Sequence, residues 1–154
     1  MAGSRPAVRS GRVRFLKFSW MNKVDQIFII DDDPITVFGI RKMLMALDAA
    51  AAIDSFANGQ LALQKIEELL EQGGNLPDVV FLDINMPIMD GWQFLEAFIQ
   101  LPCPRPIRIN IVTSSIDPND LDRFENFKTR TSHILEYRNK PIRLSDLEEI
   151  TRAA

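Results

Sequence analysis

The chain has 154 residues, 46% of them hydrophobic and 25% charged, with a net charge of -3 and a pI near 5.2. That suffices for one globular domain with a full core, and nothing in the overall charge favours nucleic acid or an anionic membrane as a partner. One cysteine, Cys103, excludes an internal disulfide and, with the single His133, leaves no zinc site; no apolar run approaches the roughly 20 residues that cross a bilayer.

The first 22 residues differ from the rest. Arg5, Arg9, Arg12, Arg14 and Lys17 stand there without an acidic neighbour, and Phe15-Leu16 is too short an apolar segment for a secretory signal. Residues 1–22 are read as a basic, disordered extension ahead of one domain over 23–154.

From Gln26 the pattern is regular. Ile27-Phe28-Ile29-Ile30 is a continuous apolar run, the mark of a strand covered on both faces, and it ends on Asp31-Asp32-Asp33. Asp33-Pro34 then supplies an N-cap and a first helical residue for a helix carrying Ile40, Met43, Leu44 and Leu47. Ile53–Phe56 reads as a second strand. Asn58 caps a second helix with Leu63, Ile66 and Leu70 inward, and Gly73-Gly74 stops it.

The third strand, Asp78–Asp83, carries the apolar run Val79–Leu82 and delivers Asp83 to a turn holding Asn85, Pro87 and Gly91. A third helix is expected from Gly91 to about Leu101, with Trp92, Leu95 and Phe98 as core or rim residues, before a proline-rich break. Ile107, Ile109 and Ile111 form a fourth strand ending on Val112-Thr113-Ser114-Ser115. Asp117-Pro118 opens a fourth helix, whose Leu121, Phe124 and Phe127 can serve either the core or a homodimer contact. Ser114 and Ser115 are candidate caps for that helix or simply loop residues. His133 is placed on a surface loop. Ile134–Tyr137 reads as a fifth strand running to Asn139-Lys140-Pro141. A last helix is expected from Ser145, with Glu148 closing a capping box and Leu147 and Ile150 inward.

Five strand–helix alternations predict an α/β fold, a parallel sheet with helices on both faces. Right-handed crossovers place every strand's carboxyl end on one edge, where open α/β sheets build their sites. That edge collects Asp31, Asp32 and Asp33 from strand one, Asp83 from strand three, Thr113 and Ser114 from strand four and Lys140 from strand five. Clustered carboxylates repel one another, and Mg2+ is a suitable remedy because it prefers oxygen ligands and retains water. Asp83 can then act as an oxygen nucleophile toward phosphorus, with Lys140 and the metal offsetting the charge of the transferred group. Asp33 reads as the cap of the first helix rather than as a ligand.

Asp31-Asp32-Asp33-Pro34, Leu82-Asp83-Ile84-Asn85-Met86-Pro87, Asp90-Gly91, Val112-Thr113-Ser114 and Lys140-Pro141 together resemble the receiver domain of response regulators in two-component signalling, over about Lys23 to Arg152. The resemblance implies a flavodoxin-like, doubly wound five-stranded parallel sheet with strand order 2-1-3-4-5. It implies that Asp83 is phosphorylated by a sensor histidine kinase or a His-containing phosphotransfer protein in a Mg2+-dependent reaction. Asp32 is then a direct metal ligand, Asp31 acts through water, and the Asn85 backbone carbonyl completes the protein ligands beside Asp83. Thr113 becomes the switch hydroxyl and Lys140 the phosphoryl partner. Tyr137 stands where the family carries its switch aromatic, although edge-strand packing explains it equally. The family bond before Pro141 is cis, an isomer that sequence does not reveal.

The implied protein is a cytoplasmic phosphoprotein that catalyses only its own phosphorylation and dephosphorylation. It signals to a downstream target protein, without nucleic acid or membrane. No output domain follows in the sequence, so a stand-alone receiver is expected. A haloacid-dehalogenase-type phosphatase would need Asp-x-Asp-x-Thr after the first strand, and Ile35 stands where the threonine belongs. A receiver-fold adaptor independent of phosphorylation is the other reading, opposed by the presence of every required side chain.

Overall fold

The computed structural model describes residues 23–153, so the expected basic extension over 1–22 lies outside the described residues. Strands β1 (Val24–Ile30), β2 (Ala50–Phe56), β3 (Val79–Leu82), β4 (Arg108–Thr113) and β5 (Ile134–Asn139) alternate with helices α1 (Pro34–Ala46), α2 (Gly59–Gln72), α3 (Gly91–Phe98), α4 (Pro118–Arg130) and α5 (Leu144–Ala153). All pairings are parallel, in the order β2-β1-β3-β4-β5. The expected doubly wound sheet is thus the observed one. No described helix is long and apolar enough to cross a membrane.

Local chemistry explains where the helices begin. The Asp33 carboxylate accepts the Ile35 N–H at 3.1 Å and the Thr36 hydroxyl at 2.8 Å, with Pro34 as the first helical residue of α1. Asn58 accepts the Leu61 N–H at 3.0 Å to start α2. Asp90 and Gln93 cap each other reciprocally at α3, and Asp117 accepts the Asn119 N–H ahead of α4. Each cap satisfies N–H groups that have no partner inside the helix.

The sheet divides the core in two. Ile40 and Leu44 of α1 and Leu147 and Ile150 of α5 pack on Ile27, Ile29, Val79 and Phe81. Helices α2, α3 and α4 cover Phe28, Ile30, Val80, Leu82, Ile109 and Ile111. All four residues of β3 are buried, as a central parallel strand requires. Phe124 and Phe127 lie in this core, whereas Leu121 is 51% exposed on α4.

Several boundaries differ from the sequence reading. β2 begins at Ala50 rather than Ile53, because pairing in register with Val24 onward recruits alanines whose own strand preference is weak. α3 ends at Phe98 rather than Leu101, where the chain tightens into Ala97–Gln100 and Phe98–Leu101 turns. The cap of α5 is not the Ser145/Glu148 box. Instead the Asp146 carboxylate reaches back to the Arg143 N–H at 2.9 Å, which shifts the helix start by one residue. His133 is half-buried rather than a surface loop residue. Its Nδ1 accepts the Ile107 N–H at 2.9 Å and its ring lies 4.8 Å from that of Phe98, so it pairs an N–H that would otherwise be orphaned at the start of β4.

On the α5 side of the sheet, Asn110 is wholly buried and neither end of its amide has a hydrogen-bond partner among the described residues. Close by in the chain register stand Glu136 and Arg138, which pair with each other at 3.5 Å, Arg138 also reaching Asp146 of α5.

Gly91 governs how closely the loop after β3 returns to the strand. Its N–H donates to the Ile84 carbonyl at 2.8 Å. A Cβ there would collide with the Asp83 carbonyl oxygen and stand 2.9 Å from Ile84 Cα, both backbone atoms that cannot rotate away.

Three outcomes are expected. Gly91→Ala should lower unfolding stability by about 1–3 kcal/mol or more, read by urea titration. The near-isosteric Asn110→Leu should raise it by about 1–2 kcal/mol, since an unpaired buried amide is removed. Burial pushes the His133 imidazole below its ordinary value of 6.5, so the unfolded chain protonates first as pH falls. Stability from this group is complete above that ordinary value and is lost as pH drops through it toward the lowered folded value. His133→Asn, whose side-chain oxygen can take the same N–H without titrating, should flatten that fall; equal pH slopes in the two proteins would contradict the role given to the ring.

Candidate functional site

The carboxyl edge brings four chain-distant groups together because the backbone ladder runs on into them. The Asp31 N–H donates to the Phe56 carbonyl at 3.0 Å, and the Asp83 N–H to the Ile30 carbonyl at 2.9 Å. The Lys140 N–H donates to the Thr113 carbonyl at 2.8 Å, tying the ends of β4 and β5. Side chains at these positions are therefore held by the sheet and not by loop packing alone.

The Lys140 ammonium lies 3.0 Å from Asp31 Oδ2 and 3.4 Å from Asp83 Oδ2. The other oxygens are also engaged: Asp31 Oδ1 accepts the Asp33 N–H at 2.9 Å, and Asp83 Oδ1 accepts the Ile84 N–H at 2.8 Å. Asp31 and Asp83 are buried and Asp32 is exposed, and one carboxylate oxygen from each of the three lies within 4.8 Å of the others. Asp33 is spent on capping α1, as the sequence reading placed it.

Charge is unbalanced here. Burial pushes the Asp31 carboxyl above its ordinary value and the Asp83 charge adds to this, outweighing the Asp33 N–H and Lys140. Burial opposes the Lys140 ammonium, yet its contacts with Asp31 and Asp83 hold its pKa above the usual lysine value. The two shifts differ in cause: burial above all raises Asp31, whereas the paired Asp31 and Asp83 charges raise Lys140. The three carboxylates, a set of hard oxygens with one member open to solvent, fit a small divalent cation such as Mg2+ that keeps part of its water shell.

Around this pocket, Asn85 lies exposed in the loop two residues beyond Asp83. Ile88 in the same loop adopts φ 70°, a left-handed backbone that a β-branched residue rarely accepts, with its side chain 75% exposed. Ile35 in the first turn of α1 and Ile116 in the loop after β4, 81% and 94% exposed, add apolar surface at the same edge. The Lys140-Pro141 peptide is cis. Thr113 is wholly buried, and its hydroxyl accepts the Ser115 N–H at 3.2 Å. Tyr137, half-buried in β5 beside Ile111, packs its ring 5.4 Å from Phe124. Burial first, then the charges of Asp120 and Asp117, push its phenol above the ordinary value.

Three residues with a bearing on this edge were not singled out for it by sequence. The Trp92 indole N–H donates to Asp120 at 3.0 Å, and the Ser115 hydroxyl donates to the other oxygen of the same carboxylate. Trp92 was expected in the core or its rim, and it is buried. Its polar partner, 28 residues away, has no local signature.

A sequence model described as the response regulator receiver domain matches residues 27–152. An uncharacterized response regulatory protein of Vibrio cholerae serotype O1 is 33% identical over 82% of this chain and 43% of its own length. A probable methanogenesis regulatory protein of Methanothrix harundinacea is 28% identical over 79% of this chain and 76% of its own. The chain thus spans less than half the length of the first of these relatives. Among solved structures, a two component response regulator from Cytophaga hutchinsonii superposes with a TM-score of 0.72 at 28% identity, covering 85% of this chain and 96% of that one. A matching domain over most of the chain, the same sheet order and the carboxylates and lysine at its carboxyl edge lead to one statement: this chain belongs to the response regulator receiver domain family.

Proposed function

We propose that the chain is a phosphorylation-driven signalling switch in which Asp83 accepts a phosphoryl group from a histidine kinase or a His-containing phosphotransfer protein. The observation that carries this reading is the Lys140 ammonium bridging Asp31 and Asp83 at the edge where Asp32 also ends. An Asp83 oxygen attacks phosphorus, the phosphorus–nitrogen bond of the donor phosphohistidine breaks, and the electron pair leaves with the imidazole. Asp31, Asp32 and Asp83, with the Asn85 backbone carbonyl, are the residues that would hold Mg2+. When bound, the cation supplies charge neutralisation at the phosphoryl oxygens.

Lys140 has two tasks in this scheme. At rest it offsets the Asp31 and Asp83 charges, and on transfer it can turn from carboxylate to phosphoryl oxygen without leaving the pocket. Thr113 then donates its hydroxyl proton to another phosphoryl oxygen. Tyr137 follows into the space that Thr113 vacates, and the surface of α4, β5 and α5 changes shape. The modification must favour the second state by a few kcal/mol to shift the population. The lone cysteine and the receiver family membership favour a cytoplasmic setting.

The test is phosphoryl incorporation from a small acyl-phosphate donor into the full chain, with Mg2+ and after chelation. Wild type should label only with the metal and Asp83→Asn should stay unlabelled under both conditions. Equal labelling of the two proteins would remove Asp83 from the role.

A further inference from the structure

A second polar network lies beside the carboxylate pocket, in the connection from β4 to α4. The Ser115 N–H donates to the Thr113 hydroxyl at 3.2 Å, and the Ser115 hydroxyl donates to Asp120. The other oxygen of that carboxylate accepts the Trp92 indole N–H at 3.0 Å. Trp92 is the second residue of α3, 6% exposed, and its ring stacks on Phe127 of α4 at 5.6 Å with 5° between the planes. One carboxylate therefore joins the start of α3 to the loop that leaves Thr113.

Asp120 is not occupied by the task its position suggests. It is the third residue of α4, where an acidic side chain ordinarily reaches back to the N–H of the capping residue. Here the Asp117 N–H goes to the Ser115 hydroxyl at 3.2 Å, and that hydroxyl in turn donates a hydrogen bond to Asp120. The Ser115 carbonyl is held as well, by the Asn139 amide at 3.2 Å, on the residue before Lys140. The serine is tied at its N–H, its hydroxyl and its carbonyl, so it cannot follow Thr113 without disturbing Asp120.

We infer that Asp120 is a positioning residue that couples Thr113, through Ser115, to the buried indole of Trp92, so that occupancy of the carboxylate pocket is transmitted to α3. This rests on the proposed function, in which Thr113 turns toward a phosphoryl group on Asp83. That turn removes the acceptor of the Ser115 N–H. Ser115 then resettles, its hydroxyl changes its hold on Asp120, and the indole N–H senses the altered acceptor. The Asp120 charge also reaches the Tyr137 phenol, which places both aromatic residues under the influence of one carboxylate.

The experiment uses the full chain carrying Trp20→Phe, so that Trp92 is the single indole, labelled with nitrogen-15. Beryllofluoride with Mg2+ serves as the phosphoryl mimic; its fluorine resonance reads occupancy of Asp83 and the indole proton–nitrogen resonance reads Trp92. Occupancy should move the indole resonance. In Ser115→Ala and in the size-conserving Asp120→Asn the fluorine signal of the bound mimic should persist while more than half of the indole response is lost, and Ser115→Thr should restore it. Bound mimic with an unmoved indole in the parent would overturn the coupling and leave the proposed function standing. No bound mimic would overturn the proposed function and the coupling with it. A full indole response in Ser115→Ala or Asp120→Asn would remove that residue from the path and overturn the inference.

Discussion

Lys140 reaching both Asp31 and Asp83 is the contact on which the rest of the carboxyl edge depends. Two buried carboxylates at adjacent strand ends repel one another, and in a region of reduced dielectric that repulsion would push the strand ends apart or force a proton onto one of them. A single ammonium between them offsets enough of the charge to keep the edge compact. It does not offset all of it, since the Asp32 carboxylate ends at the same edge.

The position of that lysine is a consequence of the sheet. With strand order β2-β1-β3-β4-β5, the ends of β1 and β3 are neighbours, and β5 is separated from β3 by β4. Lys140 crosses the end of β4 to reach the acids, over the Thr113 carbonyl that holds its own backbone N–H. Thr113 is thus bonded to Lys140 through its carbonyl and to Ser115 through its hydroxyl. The Ser115, Asp120 and Trp92 bonds extend the same mechanical link away from the pocket, to the face where α3 and α4 stack through Trp92 and Phe127.

The legibility of these features in sequence follows their range. Asp33, Asn58 and Asp117 were readable as caps because a cap is settled within four residues. Asp31, Asp32, Asp83, Thr113 and Lys140 were readable as edge residues because apolar runs mark strand ends and the crossover rule sends all those ends one way. Errors arose where a distant partner decides. Ala50–Ala52 became strand because β1 lies alongside. His133 left the surface to satisfy the start of β4, and the first turn of α5 chose Asp146 in place of Glu148.

Apolar periodicity and cap residues were therefore sufficient for the fold class and the roster of groups at the carboxyl edge, while the strand order came only with the family resemblance. Each of these is written in stretches of a few residues or in a handedness common to all such folds. Distances were not written there. That one ammonium serves two carboxylates, that Asn110 is buried without a partner among the described residues, and that Asp120 holds Ser115 and Trp92 at once all depend on side chains from separate elements arriving at the same place. Such meetings are settled by packing across the whole sheet, and local sequence carries no mark of them.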